Sequence, residues 1–138
     1  MRKPTTQKHP SGCGAACVAY ALGIEYDATL RLFRNGFFKA KSRGFYLKEM
    51  LQVLEKAERY YVKKFINQKT KKLIYQEGSI VFLKRSGKYP EGHYLSRVKG
   101  KWMDPWINFP CMCPAKSGFR NRLPGKAIYA ILPKRAKN

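Results

Sequence analysis

The chain has 138 residues, 44% hydrophobic and 14% aromatic, which supplies one packed core and excludes a disordered segment. It carries 29 Lys and Arg against 8 Asp and Glu, a formal charge of +21, so its field attracts polyanions: nucleic acid, an acidic peptide or an anionic membrane surface. No apolar run reaches the length of a membrane span, and the opening MRKPTTQKHP has no hydrophobic signal core, so the expectation is a single cytoplasmic domain over residues 1–138 with reduced thiols.

In chain order, the first predicted element is a helix over CGAACVAYALG, with Ser11 as its N-cap and Gly23 as its stop. DATLRLFRNG predicts a short second helix, opened by Asp27 and closed near Asn35-Gly36. FYLKEMLQVLEKA sets Leu47, Met50, Leu51 and Leu54 at helical spacing and predicts a third. After residue 58 the texture changes to strands. RYYVKKFI has strand composition, and GSIVFLKR contains the continuous apolar run Ile80 to Leu83 of a strand buried on both faces. GHYLSRVKGKWMDP reads as a hairpin turning at Lys99-Gly100, and PGKAIYAILPK as a last strand. Between them, WINFPCMCPAKSGFRNRLPG reads as a long loop punctuated by Pro and Gly. Helices first and antiparallel strands after predict an α+β fold.

Charge is uneven along this order. Residues 1–58 hold ten basic and five acidic residues, and residues 59–138 hold nineteen and three.

Cys13 stands at the predicted start of the first helix, where dipole and free N–H groups favour a thiolate, the reactive form of cysteine. Gly12 and Gly14 leave room there for a substrate backbone. A thiol nucleophile needs a base, and the base needs an orienter. His93 opens the strand HYLSRV. An even loop at Lys99-Gly100 pairs Val98 with Lys101 and Leu95 with Asp104, which puts His93 and Asp104 on one face as diagonal neighbours about 7–8 Å apart. A three-residue loop would put them on opposite faces. Asp104 is one of three acidic residues after position 58, in strongly basic surroundings. Gln7, upstream of Cys13, can offer an amide N–H to an oxyanion beside the Cys13 backbone N–H.

These residues resemble the bacteriocin-processing, double-glycine-leader peptidase family. The likeness rests on Gln7 six residues before Cys13, on CGAAC at 13–17, on HYLSRV at 93–98 and on the Asp-Pro pair at 104–105. It covers residues 7 to about 106. It implies a papain-like fold, with a helical part carrying the cysteine and a sheet carrying His and Asp. It also implies a thiol peptidase with nucleophile Cys13, base His93, orienter Asp104 and oxyanion donor Gln7, and no cofactor. The substrate implied is a peptide or protein, and the basic surface favours an acidic one. Members of the family form the N-terminal domain of a membrane transporter. The CMC segment, the stretch KSGFRNRLPGK and the charge of +21 have no counterpart in the family pattern.

Two other readings compete. A basic binding module on the same fold would hold nucleic acid with its second half, where the aromatics of GKWMDPWINF could stack bases. Cys13, Cys17, Cys111 and Cys113 with His9 or His93 could staple a zinc ion, although neither spacing is that of a zinc knuckle. Cys17, one turn beyond Cys13, reads as core, and His9 as a surface-loop residue without an acid to orient it.

Overall fold

The computed structural model describes residues 2–134. Its elements follow the sequence order: α1 (Cys13–Leu22), α2 (Tyr26–Leu30), α3 (Gly36–Ser42), α4 (Leu47–Lys56), β1 (Tyr61–Phe65), β2 (Ile80–Leu83), β3 (His93–Val98), β4 (Lys101–Asp104), β5 (Gly118–Arg120) and β6 (Ala127–Pro133). Among the described residues these four helices accompany one six-stranded sheet, in the order β1-β6-β2-β3-β4-β5 with every neighbour antiparallel. The fold is α+β.

The helices differ from expectation in detail. α1 begins at Cys13, but its N-cap is Gly12 and not Ser11, and no side chain caps it. Ser11 is held elsewhere, its N–H donating to Ala40 O at 2.8 Å. Gly23, at φ 70, stops the helix in the left-handed region as expected of a C-terminal glycine. Asn35-Gly36 does not close the second helix. α2 ends at Leu30, and Gly36 opens α3 because only a residue without a side chain fits there: a Cβ would lie 1.9 Å from Leu30 O. α4 is an amphipathic helix as its spacing predicts, burying Leu47, Met50 and Leu54, but Val53 is its fourth buried residue and Leu51 is only half-buried. Its first turn is capped by Glu49, which accepts from Tyr46 N at 3.0 Å.

The sheet is covered on both faces, which explains the unbroken apolar run of β2. One core joins α1, α4 and the sheet residues Ile80, Val98, Met103 and Ile131. The other gathers Val81, Leu83, Leu95, Trp102, Ala130 and Leu132 beneath Ile74 and Tyr89. β5 was not anticipated: three residues of the long loop pair with β4, Asp104 opposite Gly118 and Trp102 opposite Arg120. No helix among the described residues is long and apolar enough to cross a membrane.

Candidate active site

Two local features set the geometry of Cys13 and His93. The first is the packing of α1. Its first turn is glycine-rich because neighbours press against it. A Cβ on Gly12 would fall 2.0 Å from Tyr26 Oη, and one on Gly14 would meet Met50, Phe45 and Tyr94 at 3.1–3.3 Å. These glycines serve packing rather than the approach of a substrate backbone. The close seat of Gly14 on Tyr94 brings Cys13 beside His93, the residue before Tyr94.

The second feature is the β3–β4 hairpin. It turns at Lys99-Gly100, both left-handed at φ 46 and 76, with Val98 opposite Lys101 and Ser96 opposite Met103. Positive φ at both central residues matches the right-handed twist of the paired strands and fixes the even loop. The register therefore sets His93 and Asp104 on one face, and His93 Nε2 lies 2.7 Å from Asp104 Oδ1. The carboxylate can only accept, so Nε2 carries the hydrogen and Nδ1 is left for the Cys13 side.

Asp104 is fully buried and fully engaged. Oδ1 also accepts from Trp106 N at 2.9 Å, and Oδ2 from Arg120 Nε at 2.7 Å. Burial works against its charge, but these donors and the His93 ring hold the carboxyl below its ordinary pKa. Burial also works against a charged His93. The hydrogen bond to Asp104 and the adjacent Cys13 thiol outweigh it and raise the ring to about 9. The imidazole is clamped from the side by Tyr89, whose ring stacks on it at 4.5 Å and 6°.

Gln7 is fully buried and tied to the site by its backbone, its N–H donating to Pro105 O at 3.2 Å. Its side-chain amide donates to His9 O at 2.9 Å and Pro10 O at 3.3 Å, and Oε1 is buried without a partner among the described residues. The side chain thus braces the loop that leads into Cys13. An oxyanion role requires one N–H to leave the longer bond to Pro10 O.

No family model matches the chain, and no curated protein matches it.

Cys13 and His93 open together into a cleft of about 1050 Å³ between the start of α4 and the sheet. Cys17 is wholly buried in the helical core, and burial pushes its thiol well above the ordinary value. His9 meets Tyr26 Oη at 3.0 Å; Asp27 acts on the ring, but burial and Lys41 outweigh it and lower its pKa. Cys111 and Cys113 are exposed, and among the described residues no three His, Cys, Asp or Glu side chains gather as a metal site. Trp102 is buried in the second core under the Arg97 guanidinium, while Trp106 borders the cleft and donates Nε1–H to Cys111 O at 2.7 Å. Arg120 and Tyr89 were not foreseen. Their only sequence signal is general, a cation and an aromatic near a buried acid and base.

Proposed function

We propose that the protein is a papain-like cysteine peptidase or related thiol hydrolase acting on a peptide or protein. The observation that carries this reading is the His93–Asp104 hydrogen bond at 2.7 Å, with Cys13 and His93 opening side by side into one large cleft. A base whose pKa lies near 9 holds its proton at neutral pH, and an imidazolium beside a thiol is the arrangement that delivers a thiolate. In the reaction, Cys13 Sγ bonds to the carbonyl carbon and the carbonyl electron pair moves onto oxygen. Backbone N–H groups of the first turn of α1 stabilise that oxygen, since none has an intrahelical acceptor before Ala16 N–Gly12 O. Gln7 adds a donor when its amide leaves Pro10 O. The intermediate collapses with cleavage of the C–N bond, and the departing amine takes the proton from His93. Water then attacks the thioester carbon, gives a proton to His93 and releases the Cys13 thiolate. Asp104 keeps Nε2 protonated and the ring oriented throughout.

The test is alkylation by iodoacetamide at about pH 6, read by mass spectrometry at each cysteine. Cys13 is expected to react at least about tenfold faster than the exposed Cys111, and His93→Ala to abolish the difference. Equal rates at Cys13 and Cys111, or an unchanged rate in His93→Ala, would overturn the reading.

A further inference from the structure

An ordered row of aromatic rings begins in the floor of the cleft, with Tyr94, Phe82 and Tyr129, and continues past it onto β1 with Phe65. Tyr94, Phe82, Tyr129 and Phe65 stand directly opposite one another on β3, β2, β6 and β1. Their centroids are 4.8, 6.1 and 5.0 Å apart in that order. With strands about 4.8 Å apart, the row runs about 14 Å from the residue beside His93 to the edge of the sheet, the length of about four extended residues. It is graded. Tyr94 is buried, Phe82 and Tyr129 are half-buried, and Phe65 is 64% exposed.

Along this floor the rim is basic. Lys48, Lys63, Lys84 and Arg85 are exposed and line the cleft, against one acid, Glu91. Among the described residues no carboxylate pairs with any of these four cations. Lys84 and Arg85 follow Leu83, which is paired with His93, so their charge lies at the catalytic end. Arg43, which also borders the cleft, is neutralised by Glu49 at 3.1 Å.

We propose that this cleft selects substrate segments in which apolar side chains alternate with carboxylates, the apolar groups seated on the aromatic row and the carboxylates met by Lys48, Lys63, Lys84 and Arg85. The proposal rests on the thiol-hydrolase reading only for where the scissile bond would lie. Charge complementarity identifies an acidic partner, and the state of the rings identifies peptide rather than single-stranded nucleic acid. Base stacking needs open ring faces. Here the rings of the row pack on one another, Lys63 Nζ lies over Tyr129 at 5.0 Å, and at the cleft walls Arg43 lies over Tyr46 at 4.4 Å while His93 stacks on Tyr89. Ring edges and partly covered faces suit aliphatic and aromatic side chains, and among the described residues the four cations have no carboxylate of the chain to compete with one from a peptide.

The test uses the full chain carrying Cys13→Ala and fluorescence anisotropy with three fluorescein-labelled probes. One is a peptide alternating Glu with Leu and Phe, the second its Gln counterpart, the third an oligo-dT of similar length. The Glu peptide is expected to bind at least about tenfold more tightly than the Gln peptide. Lys84→Glu with Arg85→Glu should erase that preference. Lys69→Glu with Lys71→Glu, the same change of charge on the exposed loop after β1, should keep it. In the wild-type chain the bound Glu peptide should slow Cys13 alkylation. Equal binding of the Glu and Gln peptides, equal losses in the two double variants, tighter binding of oligo-dT, or binding that leaves Cys13 unprotected would each overturn the proposal. The anisotropy readout does not depend on thiol reactivity, so an inert Cys13 with intact Glu selectivity would sink the hydrolase reading alone.

Discussion

His93 lies between two groups that both favour its charged form, and that balance is measurable in stability as well as in chemistry. Its ring is raised from an ordinary 6.5 to about 9 in the folded chain. A raised folded pKa stabilises the fold fully below pH 6.5, and the contribution is lost as pH climbs through 9. The difference in urea unfolding free energy between the wild-type chain and His93→Gln should therefore shrink from pH 6 to pH 10, by an amount on the order of 3 kcal/mol. A difference that stays flat across that range would show that the ring is neutral at pH 7. Arg120 acts one step further out, through Asp104 Oδ2. Arg120→Ala leaves a buried carboxylate oxygen without its donor, so it should cost about 1–3 kcal/mol in the same assay and let the Asp104 carboxyl rise toward its ordinary pKa. At this scale the sequence allowed Cys13, His93 and Asp104 to be placed together, since a Lys-Gly turn determines the register that aligns the last two. Arg120 and Tyr89 were illegible for a physical reason. Their roles arise from a diagonal ion pair across β5 and a ring stack across a loop, and neither leaves a period in the sequence.

The elements show where local signals suffice and where they fail. α4, β2, the β3–β4 hairpin and β6 carry their own patterns of spacing, apolar run and turn, and form where those patterns place them. α3 was missed because Asn35-Gly36 reads as a stop, whereas the backbone of Leu30 passes so close that Gly36 is needed as a start. β5 was missed because its partner is distant and its three residues are only half-buried. Two predictions belong to this scale. Lys99 holds φ 46, a conformation asparagine adopts more readily, so Lys99→Asn should raise stability by a few tenths to about 1 kcal/mol without moving the register. A fall in the urea midpoint would mean that the Lys99 side chain contributes more than its backbone strain removes. Glu49 joins α3 to α4, bonding Lys39, Arg43 and the Tyr46 N–H. Burial opposes its charge, but Arg43, Lys39 and the Tyr46 N–H bring its carboxyl down to about 2 from 4.5. A depressed folded pKa stabilises above pH 4.5 and is lost as pH falls through 2. Glu49→Gln should thus cost about 1 kcal/mol at pH 7, and the gap to wild type should close toward pH 2.

For the whole molecule the governing quantity is the charge of +21, most of it in the half that builds the sheet. Few of these cations are neutralised: among the described residues Lys8, Lys39, Arg43 and Arg120 meet carboxylates. The remainder repel one another in the folded state more than in the expanded chain, so the compact state carries an electrostatic cost that salt relieves. Raising NaCl from about 20 mM to about 500 mM shortens the screening length from about 20 Å to about 4 Å, which removes repulsion between separated surface charges. Direct pairs at Asp104 and Glu49 are short and partly or fully buried, and screening reaches them less. The melting temperature should consequently rise with NaCl, by about 3 °C for each kcal/mol of repulsion relieved. The same cations act with the opposite sign on an acidic peptide in the cleft, because there screening removes attraction. Salt should therefore stabilise the fold while weakening the bound peptide, in one titration monitored by melting and by anisotropy. A melting temperature that falls with salt would mean that attractive pairs, and not the excess of positive charge, dominate the electrostatics of this fold.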